Sequence, residues 1–160
     1  MGSLSPKLVR DNLINPVLVA LDPMVPYSVQ RMELLLGTAA AESHLGEALV
    51  QHGGGPALGL WQMEPATERD LHENFLKFKP ELNQVVRGYM RNFPGEMAWN
   101  HSYACSMAAV HYFRVPVKLP PAGATQLQAE YWKRWYNTYL GKGTPEHYLE
   151  CWREYVEGKL

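Results

Sequence analysis

Glu42 is the residue of this sequence best placed to do chemistry. It lies at the end of the segment SVQRMELLLGTAAAES, residues 28–43, where Met32, Leu35, Leu36, Ala39 and Ala40 fall on overlapping helical faces. A carboxylate there faces the negative end of the helix dipole and loses water to its apolar neighbours, and both effects raise its pKa. A carboxyl kept protonated near neutral pH is what a general acid requires. Twenty positions later the stretch GPALGLWQMEPAT, residues 55–67, sets Gln62 beside Trp61. An amide that donates and accepts, next to an aromatic ring, suits a neutral polyol or an N-acetylated sugar. Glycines 53, 54, 55 and 59 would let the backbone approach such a ligand. Glu64, just before Pro65, reads by itself as an acid favoured by a helix N-terminus.

The elements that must position these groups are short helices. Apolar spacing predicts a helix over Ser5 to Ile14, then Asn15 as a cap and Pro16 as the first turn of a second helix reaching Leu21. The long apolar helix follows and is expected to stop at Gly46. Three consecutive glycines and Pro56 make Gln51 to Trp61 a loop or a short hairpin. Further helices are expected from Pro65 to about Phe78, Pro80 to about Asn92, Glu96 to Arg114, Gln126 to Tyr139, and Pro145 to Val156. Almost nothing alternates with period two. The fold class is therefore mainly α, with at most a small β-hairpin element, in a single domain over residues 1–160.

Composition narrows the function classes. With 46% hydrophobic and 19% charged residues the chain packs a core, which excludes disorder as its main state. Fifteen basic residues against sixteen acidic ones leave a net charge of −1, so no global field draws it to nucleic acid or anionic lipid. No apolar run approaches the roughly 18 residues that a membrane span needs, and membrane insertion is not expected. Two cysteines, Cys105 and Cys151, lack paired-ligand spacing and read as buried free thiols.

The segments AESHLG and GPALGLWQMEPAT together resemble the signature of soluble lytic transglycosylases and goose-type lysozymes. In that family a Glu-Ser pair ends a buried helix and a Gly-Leu-hydrophobic-Gln motif follows, often leading into Pro-Ala-Thr. Trp135-Tyr136-Asn137-Thr138 is a counterpart of the family's Ala-Tyr-Asn-Ala-Gly element. The match is good over residues 28–70 and looser in the C-terminal third, and the compact form also resembles small lysozyme-like proteins of bacteriophages. The resemblance implies a lysozyme-like fold that cleaves the bond between N-acetylmuramic acid and N-acetylglucosamine in peptidoglycan, with no cofactor and no metal. Glu42 would be the acid, Ser43 would lie on the cleft wall, Gln62 and the Met63 backbone would line the sugar sites, and Tyr136 would steady the Glu42 carboxyl. Glu64 stands where transglycosylases carry an apolar residue and goose-type lysozymes an Asp, which makes it a tentative second carboxylate for hydrolysis. The implied partner is the glycan strand, met by a monomer. Without a signal segment at Met1 to Arg10, the protein is expected to reach the wall through a holin-like pore or inside a virion.

Other groupings are weaker. His44, Glu47 and His52 do not follow His-Glu-x-x-His, and Gly46 interrupts their helix, so metal catalysis is not expected. Ser43 and His44 are adjacent on a helix and diverge, which rules against a nucleophilic pair. His101 and His111 read as core or boundary residues. Trp132, Trp135, Tyr136, Tyr139, Tyr148, Trp152 and Tyr155 read as an aromatic clamp, some of whose rings would meet sugar faces, and Tyr131, Lys133 and Arg134 as a local basic patch. The competing class is a non-catalytic lysozyme-fold virion component that binds peptidoglycan.

Overall fold

Capping side chains and first-turn prolines set most of the helix starts in the computed structural model, which describes residues 2–51 and 55–160. Ser5 caps α1, Pro6–Leu8, which continues through a π-helical stretch, Val9–Ile14, into α2, Asn15–Leu21. The cap expected at Asn15 is therefore replaced by continuous helix, in which the Asn15 N–H bonds to the Arg10 carbonyl five residues back. A widened turn accommodates Pro16, whose ring has no N–H to give and would collide with the carbonyl four residues back in a regular helix.

Ser28 caps α3, Val29–Ser43, by accepting the Arg31 N–H. The helix stops at His44 rather than Gly46, because His44 and Leu45 both turn left-handed at φ 52°. Prolines open α4, Pro65–Asn74, and α5, Pro80–Tyr89, and a 3₁₀ turn at Leu76–Phe78 divides them. Asn100 caps α6, His101–Phe113, which begins later than expected. Glu96 sits instead in a separate 3₁₀ turn, its buried carboxylate accepting the Arg91 and Asn92 N–H groups and the Asn100 amide. α7, Thr125–Trp132, passes into a second π-helical stretch, Lys133–Asn137, and Thr144 caps α8, Pro145–Tyr155.

α3 is the centre of the molecule. Every residue from Leu34 to Ala41 is buried, on all faces of the helix, which packs against α6, α7, α8 and the first π-helical stretch. Thr38 links α3 to α6: its hydroxyl donates to the Leu34 carbonyl at 2.6 Å and meets the Tyr112 hydroxyl at 2.7 Å. The Trp61 indole donates to the Leu35 carbonyl at 2.9 Å, anchoring the loop after α3 to the same helix. Extended pairing among the described residues is limited to isolated bridges, Val50 with Leu58 and Leu58 with Met63, so the fold is mainly α. No helix among the described residues is long and apolar enough to cross a membrane. Both cysteines are buried and free.

Close approach of α8 to α3 depends on Gly37, where an added Cβ would overlap the buried Tyr148 ring. Gly37→Ala is expected to destabilise the fold by about 1–3 kcal/mol, the usual cost of overpacking a filled core. Chemical denaturation of the two proteins measures this.

Candidate active site

The C-terminal end of α3, the loop before α4, the second π-helical stretch and the segment 138–143 enclose a cavity of about 770 Å³. Glu42, Gln62, Met63, Glu64 and Tyr136 all line it, so the fold gathers residues that lie nearly a hundred positions apart. The cavity is walled by both polar groups and rings.

Glu42 is partly buried at the end of α3, and the Trp132 indole N–H donates to its Oε2 at 3.0 Å. Loss of water pushes the carboxyl up to about 7, and the indole bond, which favours the ionised form, pulls the other way. Burial is thus the larger of the causes. Because Oε2 accepts from the indole, the proton of the neutral acid resides on Oε1, which has no hydrogen bond from the described residues.

Trp132, rather than Tyr136, is the residue that holds Glu42. Tyr136 stands one turn further along, and its hydroxyl donates to the Trp61 carbonyl at 2.6 Å. The expected Tyr136 contact with the carboxyl is therefore corrected: Tyr136 fixes the loop wall and sits near Glu42 without bonding to it. The four-residue spacing of Trp132 and Tyr136 aligns them on one helical face. That spacing was readable in the sequence, but which ring would reach the acid was not.

Ser43 does not lie on the cleft wall. It is buried, its hydroxyl donates to the Ala39 and Leu60 carbonyls at 3.1 and 2.7 Å, and it accepts the Gly46 N–H at 3.1 Å. Neighbouring helical side chains diverge, so when Glu42 faces the cavity Ser43 faces the loop behind it. Gln62 borders the cavity, but its amide nitrogen lies at 3.1, 3.3 and 2.9 Å from the Ala48, Leu49 and Gly59 carbonyls. Three acceptors around one amide atom identify it as the nitrogen and commit it to bracing the loop. The Met63 backbone is likewise occupied, since its N–H and carbonyl pair with those of Leu58, and the buried side chain is what meets the cavity.

Glu64 is exposed at the cavity rim, in extended backbone just before α4, and makes no capping bond. Trp61 is fully buried, so it is core rather than a sugar platform. Of the glycines expected to admit a ligand, Gly53 and Gly54 lie outside the described residues. Gly59 takes a left-handed φ of 81° against the Met97 carbonyl, where a side chain would not fit. Close approach there serves packing.

The C-terminal aromatics divide between two roles. Tyr148 is core, Trp132 is buried but reaches the cavity, and Trp135 and Tyr136 line it. The basic patch does not form: Tyr131 is buried, and Lys133 donates to Asn137 and the Gly141 carbonyl at 2.8 and 3.0 Å, closing the loop. Arg134 packs on the Trp135 ring at 4.9 Å. His111 also lines the cavity, meeting Tyr136 edge-on at 5.1 Å, and burial pushes its imidazole down to about 4, so it is neutral at pH 7. Its apolar helix gave no sign of a place in the cavity wall. His52 lies outside the described residues, and His44 meets His147 and Cys151 from α8, with Glu47 at 3.9 Å.

The chain matches no protein-family model, no curated protein and no solved structure.

Two outcomes follow from this geometry. A folded-state pKa of about 7 against 4.5 in the unfolded chain means the native state binds the Glu42 proton more tightly, so its stabilising effect is complete below 4.5 and lost as pH rises through 7. Glu42→Gln is expected to match the parent's stability at about pH 4 and to exceed it by on the order of 3 kcal/mol at about pH 8, read from urea unfolding across that range. Ser43→Ala should cost about 1–3 kcal/mol of stability by stranding buried partners. Thermal denaturation tests that loss.

Proposed function

We propose that the chain has a lysozyme-like architecture and cleaves the peptidoglycan glycan strand between N-acetylmuramic acid and N-acetylglucosamine, with Glu42 as general acid. The observation that carries this reading is a partly buried carboxyl that lines a large cavity, with one oxygen held by Trp132. An acid that keeps a substantial protonated fraction at pH 7, lining a pocket of mixed polar and aromatic character, is suited to protonating a glycosidic oxygen. Oε1 gives its proton to that oxygen as the bond to the muramoyl C1 breaks. The indole hydrogen bond then steadies the carboxylate that forms, because a donor to an ionised oxygen is stronger than to a neutral one. Half-buried Trp135 and Tyr136 line the cavity in which the sugars would lie.

The positive C1 centre has two fates. In one, the C6 hydroxyl of the same muramoyl residue attacks and gives a 1,6-anhydro end, with Glu42 taking the hydroxyl proton. In the other, a water deprotonated by Glu64 attacks and gives a reducing end. Glu64 makes no capping bond with its side chain and stands exposed at the rim, which favours the first route.

Glu42→Gln should lower clearing of outer-membrane-stripped cells by about a hundredfold or more, the range of a lost general acid. Glu64→Gln should retain most of the activity, and mass spectrometry of the soluble muropeptides should find 1,6-anhydro ends. Reducing ends together with loss of activity in Glu64→Gln would establish hydrolysis instead. Saccharide binding by the parent without any clearing would assign the chain to the non-catalytic class.

A further inference from the structure

At the cavity wall, where α3 ends, His44 converges with His147, which lines the cavity, and with Cys151 of α8, their ligand-capable atoms all within 4.8 Å of one another. We infer that these three side chains form a binding site for a borderline divalent cation of the Zn²⁺ class, which clips the left-handed end of α3 to α8. This inference is independent of the glycan-cleaving reading, because none of the three residues is needed for acid catalysis by Glu42.

Four observations point to a cation. First, His147 and Cys151 are four apart on one helix, the spacing that stacks two ligands on the same face. The thiol already lies 3.6 and 4.0 Å from the two ring nitrogens of His147. With zinc bonds of about 2.0 Å to nitrogen and 2.3 Å to sulfur, tetrahedral ligands stand about 3.5 Å apart, so the 4.0 Å between the thiol and Nδ1 closes to bonding separation with a shift of about half an ångström.

Second, the tautomer of His147 is set for the purpose. Its Nε2 lies 3.0 Å from the Ala41 carbonyl, which can only accept, so Nε2 carries the proton and Nδ1 keeps a lone pair. A backbone carbonyl that orients a histidine through its other nitrogen is the usual support of a metal ligand. Third, His44 is held in place by its neighbours. Its ring stacks on Tyr155 at 5.2 Å and 13°, and the Glu47 carboxylate stands 3.9 Å from Nδ1, on the side that would leave Nε2 for an ion. His44 itself has left-handed backbone, a conformation histidine adopts more readily than most residues.

Fourth, the charge around the cluster is negative. The carboxylates of Glu42, Glu150 and Glu154 lie within electrostatic reach of the Cys151 sulfur, and Glu47 borders His44. A thiolate and two imidazoles select zinc-like ions over magnesium or calcium, which prefer oxygen. Three protein ligands leave a fourth position for water.

The test uses the full chain, stripped with a chelator and titrated with Co²⁺ as a visible substitute for Zn²⁺. One equivalent should produce the absorption of a four-coordinate ion with a thiolate-to-cobalt charge-transfer band, and Zn²⁺ should displace it. Cys151→Ser should abolish the charge-transfer band, whereas Cys105→Ala, which alters the distant buried thiol, should keep it. His44→Gln, at a half-exposed position, should weaken Co²⁺ binding tenfold or more. Saturating Zn²⁺ should raise the Tm of the parent and of Cys105→Ala but not of Cys151→Ser. A parent that gives no charge-transfer band overturns the site, as does a band that survives in Cys151→Ser or Co²⁺ affinity unchanged in His44→Gln.

Discussion

Burial of α3 on every face is the constraint from which the site follows. A helix built from Leu34, Leu35, Leu36, Gly37, Thr38 and three alanines has no polar side to give to solvent, so other helices must surround it. Its last turn then emerges where the surrounding layer opens. Glu42 occupies that turn, and its carboxyl is neither free in water nor sealed in the core. The desolvation that lifts it to about 7 comes from the same packing that holds the fold together. The stability of the molecule and the acidity of the site therefore share one cause.

The second π-helical stretch completes what α3 begins. α7 delivers Trp132 into the core, where its indole reaches Glu42, and the wider turn over Lys133–Asn137 carries Tyr136 to the loop wall. The two rings thus hold two parts of one cavity wall, the acid and the Trp61 carbonyl. Lys133 folds the following segment back by bonding Asn137 and Gly141. A regular helix would rotate these side chains differently, and such widened turns occur often at functional sites. Thr138, which follows the stretch, takes a φ of 64° without being glycine, so the exit from it is strained.

Loop bracing explains why several residues near Glu42 are structural. Ser43, Gln62 and the Met63 backbone all spend their polar groups on the segment between α3 and α4. That segment carries little regular pairing, so its carbonyls need side-chain donors. A motif that is polar and close to an acid in sequence is then largely scaffold for the acid.

Much of the fold was legible in the sequence, because its causes are local. Period 3.6 in Met32, Leu35, Leu36 and Ala39, and prolines at 65, 80 and 145, act within a few residues of themselves. The unusual position of Glu42, an acid ending an apolar helix, was legible for the same reason. Boundaries failed where a local rule met packing: Pro16 suggested a new helix, but a π turn absorbed it, and Glu96 looked like a helix start, but its carboxylate had a turn to cap. The partners of Glu42 could not be read from sequence, since the choice between Trp132 and Tyr136 depends on how α7 docks against α3. Nor could the meeting of His44 with His147 and Cys151, residues more than a hundred positions apart, whose approach is set by the small contact at Gly37 that lets α8 lie close. Sequence by itself determined which residues form helices and which helix must be buried, because backbone geometry and hydrophobic spacing are short-range. Only the tertiary structure decided which side chains touch the acid, because that depends on the relative rotation and depth of helices distant in the chain.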